Sequence, residues 1–258
     1  MEVIAKKGMR VPVEDQPGRY IDDSQTLTVP DTNYYYRRQI ADGNLIAMDA
    51  AAKAYAPQRQ LLLGQRLANG SQPALHPVEV MSDEQAAQLF GSGSQMHLMV
   101  KEAITANPNV RLTAVSIDDP EDGKAAFGRL YINGTNRGRG VLTIWIADQR
   151  IDFPLEEFYE SPVNLSLGLL IALKKQEHNL PVYVERTHSY FLDFTAKHKG
   201  TIGNYIKLDF QYDDWPDLIR IHPMSGGSGS IDWHPALAAA ADVVNDSHVI
   251  ASRIDLLQ

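Results

Sequence analysis

The sequence contains no cysteine, no long apolar run and no surplus of positive charge, and each lack removes a class of protein. Without a thiol the chain cannot be a disulfide-stapled scaffold, a thiolate zinc protein or a cysteine-nucleophile enzyme, and it suits a reducing compartment, with the cytosol as default. The longest strongly apolar stretch, Leu165 to Leu173, stops at Lys174 and Lys175. That is well short of the ~18–20 residues that cross a bilayer, so no membrane partner is expected. The start, Met-Glu-Val-Ile-Ala-Lys-Lys-Gly, turns polar and Pro-rich at once and lacks the apolar segment of a secretory signal. With 24 basic against 32 acidic side chains the formal net charge is −8, so no nucleic-acid partner is expected. What is present is an ordinary globular composition: 44% hydrophobic and 22% charged residues in a chain of 258, enough for one large or two modest domains.

The pattern along the chain predicts an α/β fold in which an α/β core is interrupted by an inserted β-rich subdomain, with a small N-terminal β-rich appendage. Residues 1–46 form the appendage, marked by Pro12, Pro17 and Pro30, short apolar triplets and the turn pair Asp42-Gly43. The Ala-rich stretch Met48 to Tyr55 favours a short connecting helix. The core is expected from residues 47–118 together with 225–258. Within it, Leu61-Leu62-Leu63 reads as a strand buried on both faces. Ser82 with Gln85 three residues on has capping-box spacing for a helix to Phe90. A second helix from about Ser94 puts Met96, Met99, Val100 and Ala103 on one stripe, and Arg111 to Ile117 reads as a strand. Residues 119–224 break into short β segments crossed by one helix, Pro162 to Gln176. Asn133, Gly134, Asn136, Gly138 and Gly140 suggest a hairpin joining Tyr131-Ile132 to Val141-Leu142. A last helix from Pro235 and a last strand, Ser247 to Ile254, return the chain to the core.

No arrangement in the sequence specifies catalysis. The run Ser225 to Ser230 lacks the Lys-Ser/Thr of a P-loop and the spacing of a dinucleotide fingerprint, and Gly91-Ser92-Gly93-Ser94 lacks the Gly-x-Ser-x-Gly of a nucleophile elbow; both read as turns. The eight histidines are scattered without a helical i,i+4 pair, so no metal site is expected, and no cofactor either. Asp213, Asp214 and Asp217 around Trp215-Pro216 read as a solvated loop, and Asp118, Asp119, Glu121 and Asp122 as an acidic turn without EF-hand spacing. The cluster Tyr34, Tyr35, Tyr36, Arg37 and Arg38 mixes aromatic rings with guanidinium groups, as protein interfaces do. Tyr34, Tyr35, Arg37 and Arg38 are the candidate interface residues. Packing of the appendage onto itself and stacking on bases are the alternatives.

An ordered set of segments resembles a known family. Leu61 to Gly70, Pro77-Val78, Ser82 to Ser94 and Asn107-Pro108 are followed by Ile144 to Ile151, Phe194 to Asn204 and Met224 to Gly229. Together they resemble the Mu-like phage contractile tail sheath proteins, over residues 57–255. Residues 1–46 separately resemble a small uncharacterised family encoded beside the sheath gene in Mu-like phages, through Val29 to Thr32, Tyr34 to Arg38 and Asp42-Gly43. The resemblance implies a fusion of the two, with a non-enzymatic structural role in a virion tail assembled in the host cytoplasm. It also implies a homo-oligomer contacting other sheath or tail subunits and the tail tube, and it makes the Gly-rich loops structural turns. Sheath proteins of that family are roughly twice as long, so a truncated or specialised relative is expected, such as a collar, end or decoration component. The rival readings are a small-molecule or carbohydrate-processing enzyme on the α/β core, marked by a deep pocket of convergent polar groups, and a monomeric binding module.

Overall fold

A computed structural model describes residues 2–14, 16, 18–30, 32–47, 59–134, 140–212, 218–243 and 247–250. The helix expected at Met48 to Tyr55 and the acidic cluster around Trp215 lie outside the described residues. The chain divides into two compact units, Met1–Pro57 and Gln58–Gln258.

The first unit builds a small core from alternation. In β1 (Glu2–Ala5) Val3 and Ala5 point inward while Glu2 and Ile4 are partly exposed. β1 pairs antiparallel with both β4 (Leu27–Thr28) and β5 (Leu45–Ala47), and β2 (Val11–Pro12) pairs with β3 (Tyr20–Ile21). Val3, Ala5, Val11, Val13, Ile21, Val29, Tyr36 and Leu45 form the core. The Tyr-Arg cluster, expected inside a β-rich arm, is helical: α1 spans Tyr34–Ala41. The cause is local. Asn33 Oδ1 accepts hydrogen bonds from the amides of Tyr35 (2.8 Å) and Tyr36 (3.4 Å), satisfying orphan donors of the first turn.

The second unit contains a four-stranded sheet in the order β16-β6-β8-β7. β6 (Arg59–Gln65) lies parallel to both β8 (Arg111–Ile117) and β16 (Ser247–Ile250), and β7 (Val78–Val80) runs antiparallel to β8. The apolar run Leu61-Leu62-Leu63 is buried on both faces, because helices cover both. Leu62 packs with Phe90, Met96, Val100 and Leu112 beneath α2 (Asp83–Phe90) and α3 (Gln95–Ala106). Leu61 and Leu63 pack with Val115, Trp233 and Ala236 beneath α5, which runs only over His234–Ala239. The capping box is shifted by one residue. Ser82 Oγ accepts from the Gln85 amide at 3.1 Å, while Gln85 Oε1 accepts from Met81 N rather than from Ser82.

Residues between β8 and α5 form two further sheets. One has the order β12-β13-β9-β15, from β9 (Ala125–Ile132), β12 (Val182–His188), β13 (Phe191–Lys199) and β15 (Ile219–Ser225). The other has the order β11-β10-β14, from β10 (Gly140–Ile146), β11 (Gln149–Leu155) and β14 (Leu208–Gln211). Helix α4 (Pro162–Gln176) starts on a proline, carries Lys174 and Lys175 in its last turn, and buries Leu165, Leu169 and Leu173 at helical spacing. The hairpin expected across Asn133 to Gly140 does not form. β9 is flanked by β13 and β15 and β10 by β11 and β14, so the strands on either side of that turn belong to different sheets. Strand partners, not turn chemistry, decide this pairing.

Leu62 is buried with Phe90, Met96, Val100 and Leu112, and truncating it removes apolar burial from that cluster and leaves a cavity to the extent that its neighbours do not relax. Leu62→Ala is expected to cost about 2–5 kcal/mol. Urea unfolding of the full chain, followed by far-UV circular dichroism, measures it.

Candidate functional site

The candidate interface residues occupy one helix but do different work. Tyr36 is buried, its hydroxyl accepting from Glu14 N at 2.9 Å. Tyr35 is half-buried, stacks edge-on against Tyr36 and donates through its hydroxyl to Pro12 O at 2.9 Å. Burial pushes its phenol above the usual tyrosine value, with Tyr36 and Glu14 adding to the shift. Both rings therefore hold α1 onto its own unit. Tyr34 is 78% exposed, and Arg37 and Arg38 are exposed beside it; Arg38 approaches Asp42 at 3.6 Å. The outward group is Tyr34, Arg37 and Arg38.

In the second unit, segments far apart in sequence meet at one joint between the four-stranded sheet with its helices and the β-rich part. Gln65, at the end of β6, donates through Nε2 to Asp119 Oδ1 (2.7 Å) and to Lys199 O (3.0 Å). Asp119 Oδ1 also accepts from His198 Nδ1 at 2.7 Å, and Oδ2 from Lys199 N at 2.8 Å. The other ring nitrogen of His198, Nε2, accepts from Gln95 N at 2.9 Å, and Gln95 Oε1 accepts from Gln65 N at 2.9 Å. Beside this ring of bonds, Asn204 exchanges two hydrogen bonds with Gly227, 2.8 and 2.9 Å long. Lys124 and Ser228 pair through their backbones where the chain leaves and rejoins the sheet.

Lys197 completes the joint. Its Nζ donates to Ser92 O (2.9 Å) and Glu177 O (2.7 Å) and lies 5.4 Å from the centre of the Tyr183 ring. Burial pushes its pKa down from 10.5 to about 8; Glu177 opposes the shift and Lys174 adds to it. The approach requires Gly93, whose φ is +74° and on which a Cβ would fall 2.2 Å from Lys197 Nζ. The turn Gly91 to Ser94 is thus a receptor for a lysine. Ser94 Oγ also caps α3 by accepting from His97 N at 3.0 Å.

Two clefts flank the joint. One, about 560 Å³, is lined mainly by apolar groups, including Leu62, Met99, Ala103, Ile202, Ile206 and Val249. The other, about 600 Å³, is lined by Arg66, Asp118, Asp119, Tyr183, Lys197 and Lys199. Its charged groups are engaged with the protein: Arg66 pairs with Asp118 at 2.7 Å and Lys199 Nζ donates to Glu121 O. Among the described residues no group of three His, Asp or Glu is placed to hold a metal ion. No helix there is long and apolar enough to cross a membrane.

One surface went unread in the sequence. On the outward face of β9 and β13 the Arg129 guanidinium lies 4.9 Å from the Phe191 ring centre, 5.3 Å from Phe127 and 5.9 Å from Tyr131. It is fixed from below by Asp193, which takes two hydrogen bonds from Arg129 and a third, at 2.5 Å, from Thr187 Oγ1. Burial disfavours the Asp193 carboxylate, yet the bonds from Arg129 and Thr187 prevail and hold its pKa below the usual range. The signal was the i, i+2, i+4 spacing of Phe127, Arg129 and Tyr131. Its meaning depends on Asp193, 64 residues from Arg129 in the chain.

No family model matches the chain. It is similar to a prophage tail protein, being 31% identical over 187 residues to one curated relative, a stretch that covers 70% of this chain and 38% of that protein. That relative is the Mu-like prophage FluMu tail sheath protein of Haemophilus influenzae, to which the chain is similar over this stretch. It spans less than half the relative's length.

Because Lys197 has a lowered folded-state pKa, the folded chain binds fewer protons than the unfolded chain between about 8 and 10.5, and stability from this group rises with pH in that window. Lys197→Met removes the rise. Urea midpoints of the two proteins at pH 7.5, 9 and 10 are expected to diverge upward in favour of the lysine form.

Proposed function

We propose that the chain is a non-enzymatic structural component of a phage contractile tail, a sheath-like protein making subunit–subunit contacts in a symmetric assembly. The observation that carries this reading is the 31% identity to a tail sheath protein over 187 residues. Its partners are further sheath or tail subunits and the tail tube, in the virion tail after assembly in the host cytoplasm. Nucleic acid and membrane have no part in this role. Heterologous contacts between identical subunits generate rings or tubes, so homo-oligomerisation follows.

The proposed organisation is an α/β core of residues 47–118 plus 225–258, an insertion at 119–224, and a fused appendage at 1–46. The parallel pairing of β16 with β6 and the Lys124–Ser228 bridge at the ends of the β-rich part support the insertion. The separate compact unit Met1–Pro57 supports the appendage. Tyr34, Arg37 and Arg38 are the proposed contact group on α1, with Tyr35 holding the helix in place. The Arg129 platform is a second contact surface of the same aromatic-arginine composition.

Negative-stain electron microscopy and light scattering on the purified chain, alone and mixed with a cognate tail tube or full-length sheath, test the role. Rings, tubes or incorporation support it, and a monomer that ignores both overturns it. Replacing Arg37 and Arg38 together with Ala is expected to weaken assembly about tenfold or more while the circular dichroism spectrum stays unchanged, since both side chains are exposed. Unchanged assembly removes α1 from the interface.

A further inference from the structure

We propose that the joint of the second unit is an acid-sensitive latch, in which the neutral rings of His97 and His198 each receive a backbone N–H from residues 93–95, the segment that enters α3, and release it on protonation. The basis is geometric and does not depend on the tail role. Gly93 N donates to His97 Nδ1 at 2.8 Å, and Gln95 N donates to His198 Nε2 at 2.9 Å. A backbone amide can only donate, so each of those ring nitrogens must carry a lone pair. On the opposite side each ring faces a carboxylate: His97 Nε2 lies 2.6 Å from Asp83 Oδ1, and His198 Nδ1 lies 2.7 Å from Asp119 Oδ1. Those nitrogens carry the proton, since a lone pair there would face an anion. His97 is thereby the Nε2–H tautomer and His198 the Nδ1–H tautomer, and both side chains are buried.

Protonation places a second N–H against an amide N–H in both cases and removes both hydrogen bonds. The groups facing His97 are Asp83 from α2, Lys101 one turn along α3 and Lys197 from β13. Lys197 in turn faces Glu177 and Lys174. Asp119, from the loop after β8, faces His198, and Lys199 follows it on β13. A charged His97 beside the buried Lys197 adds like-charge repulsion to the lost bond. Burial, the largest influence on His97, already disfavours its charged form and outweighs the attraction of Asp83.

What gives way is the joint and not the cores. The buried apolar residues of the β-rich part form one cluster, and those on the two faces of the four-stranded sheet form two others. Between them stand the polar bonds of Gln65, Gln95, Asp119, Lys197 and His198, with a cleft on each side. Loss of the Gly93 and Gln95 bonds frees the turn that holds Lys197 through Ser92 O.

The test is nuclear magnetic resonance on the uniformly 15N-labelled full chain. At pH 7.5 the imidazole spectra are expected to show His97 as Nε2–H and His198 as Nδ1–H. Hydrogen-exchange protection of the Gly93 and Gln95 amides, corrected for intrinsic rates, is expected to fall about tenfold or more on going to pH 5.0. The amides of Leu62 and Leu130 keep theirs. In His198→Gln, an amide oxygen accepts the Gln95 N–H without titrating, and the acid response at Gln95 is expected to vanish. Either histidine protonated or in the other tautomer at pH 7.5 overturns the proposal. So does protection at either amide that stays constant to pH 5.0, and both measurements stand on the wild-type chain if the variant does not fold.

Discussion

The Asp119 carboxylate sits where the four-stranded sheet of the second unit meets its β-rich part. Its two oxygens receive a side-chain amide from β6, an imidazole from β13 and the backbone N–H of Lys199. Removing a carboxylate from water is costly unless hydrogen bonds replace the lost solvation, and three donors meet that demand here. The same bonds fix the Gln65 side chain and, through His198, the first turn of α3. The sheet and the β-rich part share one acceptor group, and the helix is tied to it through His198, which sets their mutual register more narrowly than apolar contact alone can.

The parts of this fold that were legible in the sequence are those governed by local chemistry. The apolar run at Leu61 implied a strand covered on both faces, Ser82 marked a helix start, and the helix read over Pro162 to Gln176 is α4. Each signal reads out within a few residues. The pairing of β9 was not legible, because the glycine-rich segment beyond Ile132 advertises a hairpin whatever the strands on either side do. The decision belongs to β13 and β15, about 60 and 90 residues downstream, which occupy both edges of β9.

The candidate site was legible in part for the same reason. Composition singled out the Tyr-Arg cluster, but three consecutive tyrosines on a helix point in three directions, and only the hydrogen bonds to Pro12 and Glu14 show which rings serve the unit itself. The acidic turn at Asp118 to Asp122 read only as a turn without EF-hand spacing, because the partners of its aspartates come from residues 65, 66 and 198. The segments that resembled sheath proteins, Ser82 to Ser94, Phe194 to Asn204 and Met224 to Gly229, meet around the joint. Two of their glycines stand at close approaches: a Cβ on Gly93 would fall 2.2 Å from Lys197 Nζ, and one on Gly227 2.6 Å from Gly200 O.

The position of β16 carries a consequence for how the chain is made. β6 gains its second parallel partner only from residues 247–250, after roughly 180 further residues have been translated. At about 5–20 residues per second that is an interval on the order of ten seconds or more. Until then β6 keeps at least one open edge, both being open before β8 is made, and Leu61 and Leu63 lack cover until residues 234–239 of α5 have been added. The β-rich part, continuous in sequence from Ala125 to Ser225, meets no such delay and can complete its sheets while the ribosome is still synthesising the strand that closes its neighbour.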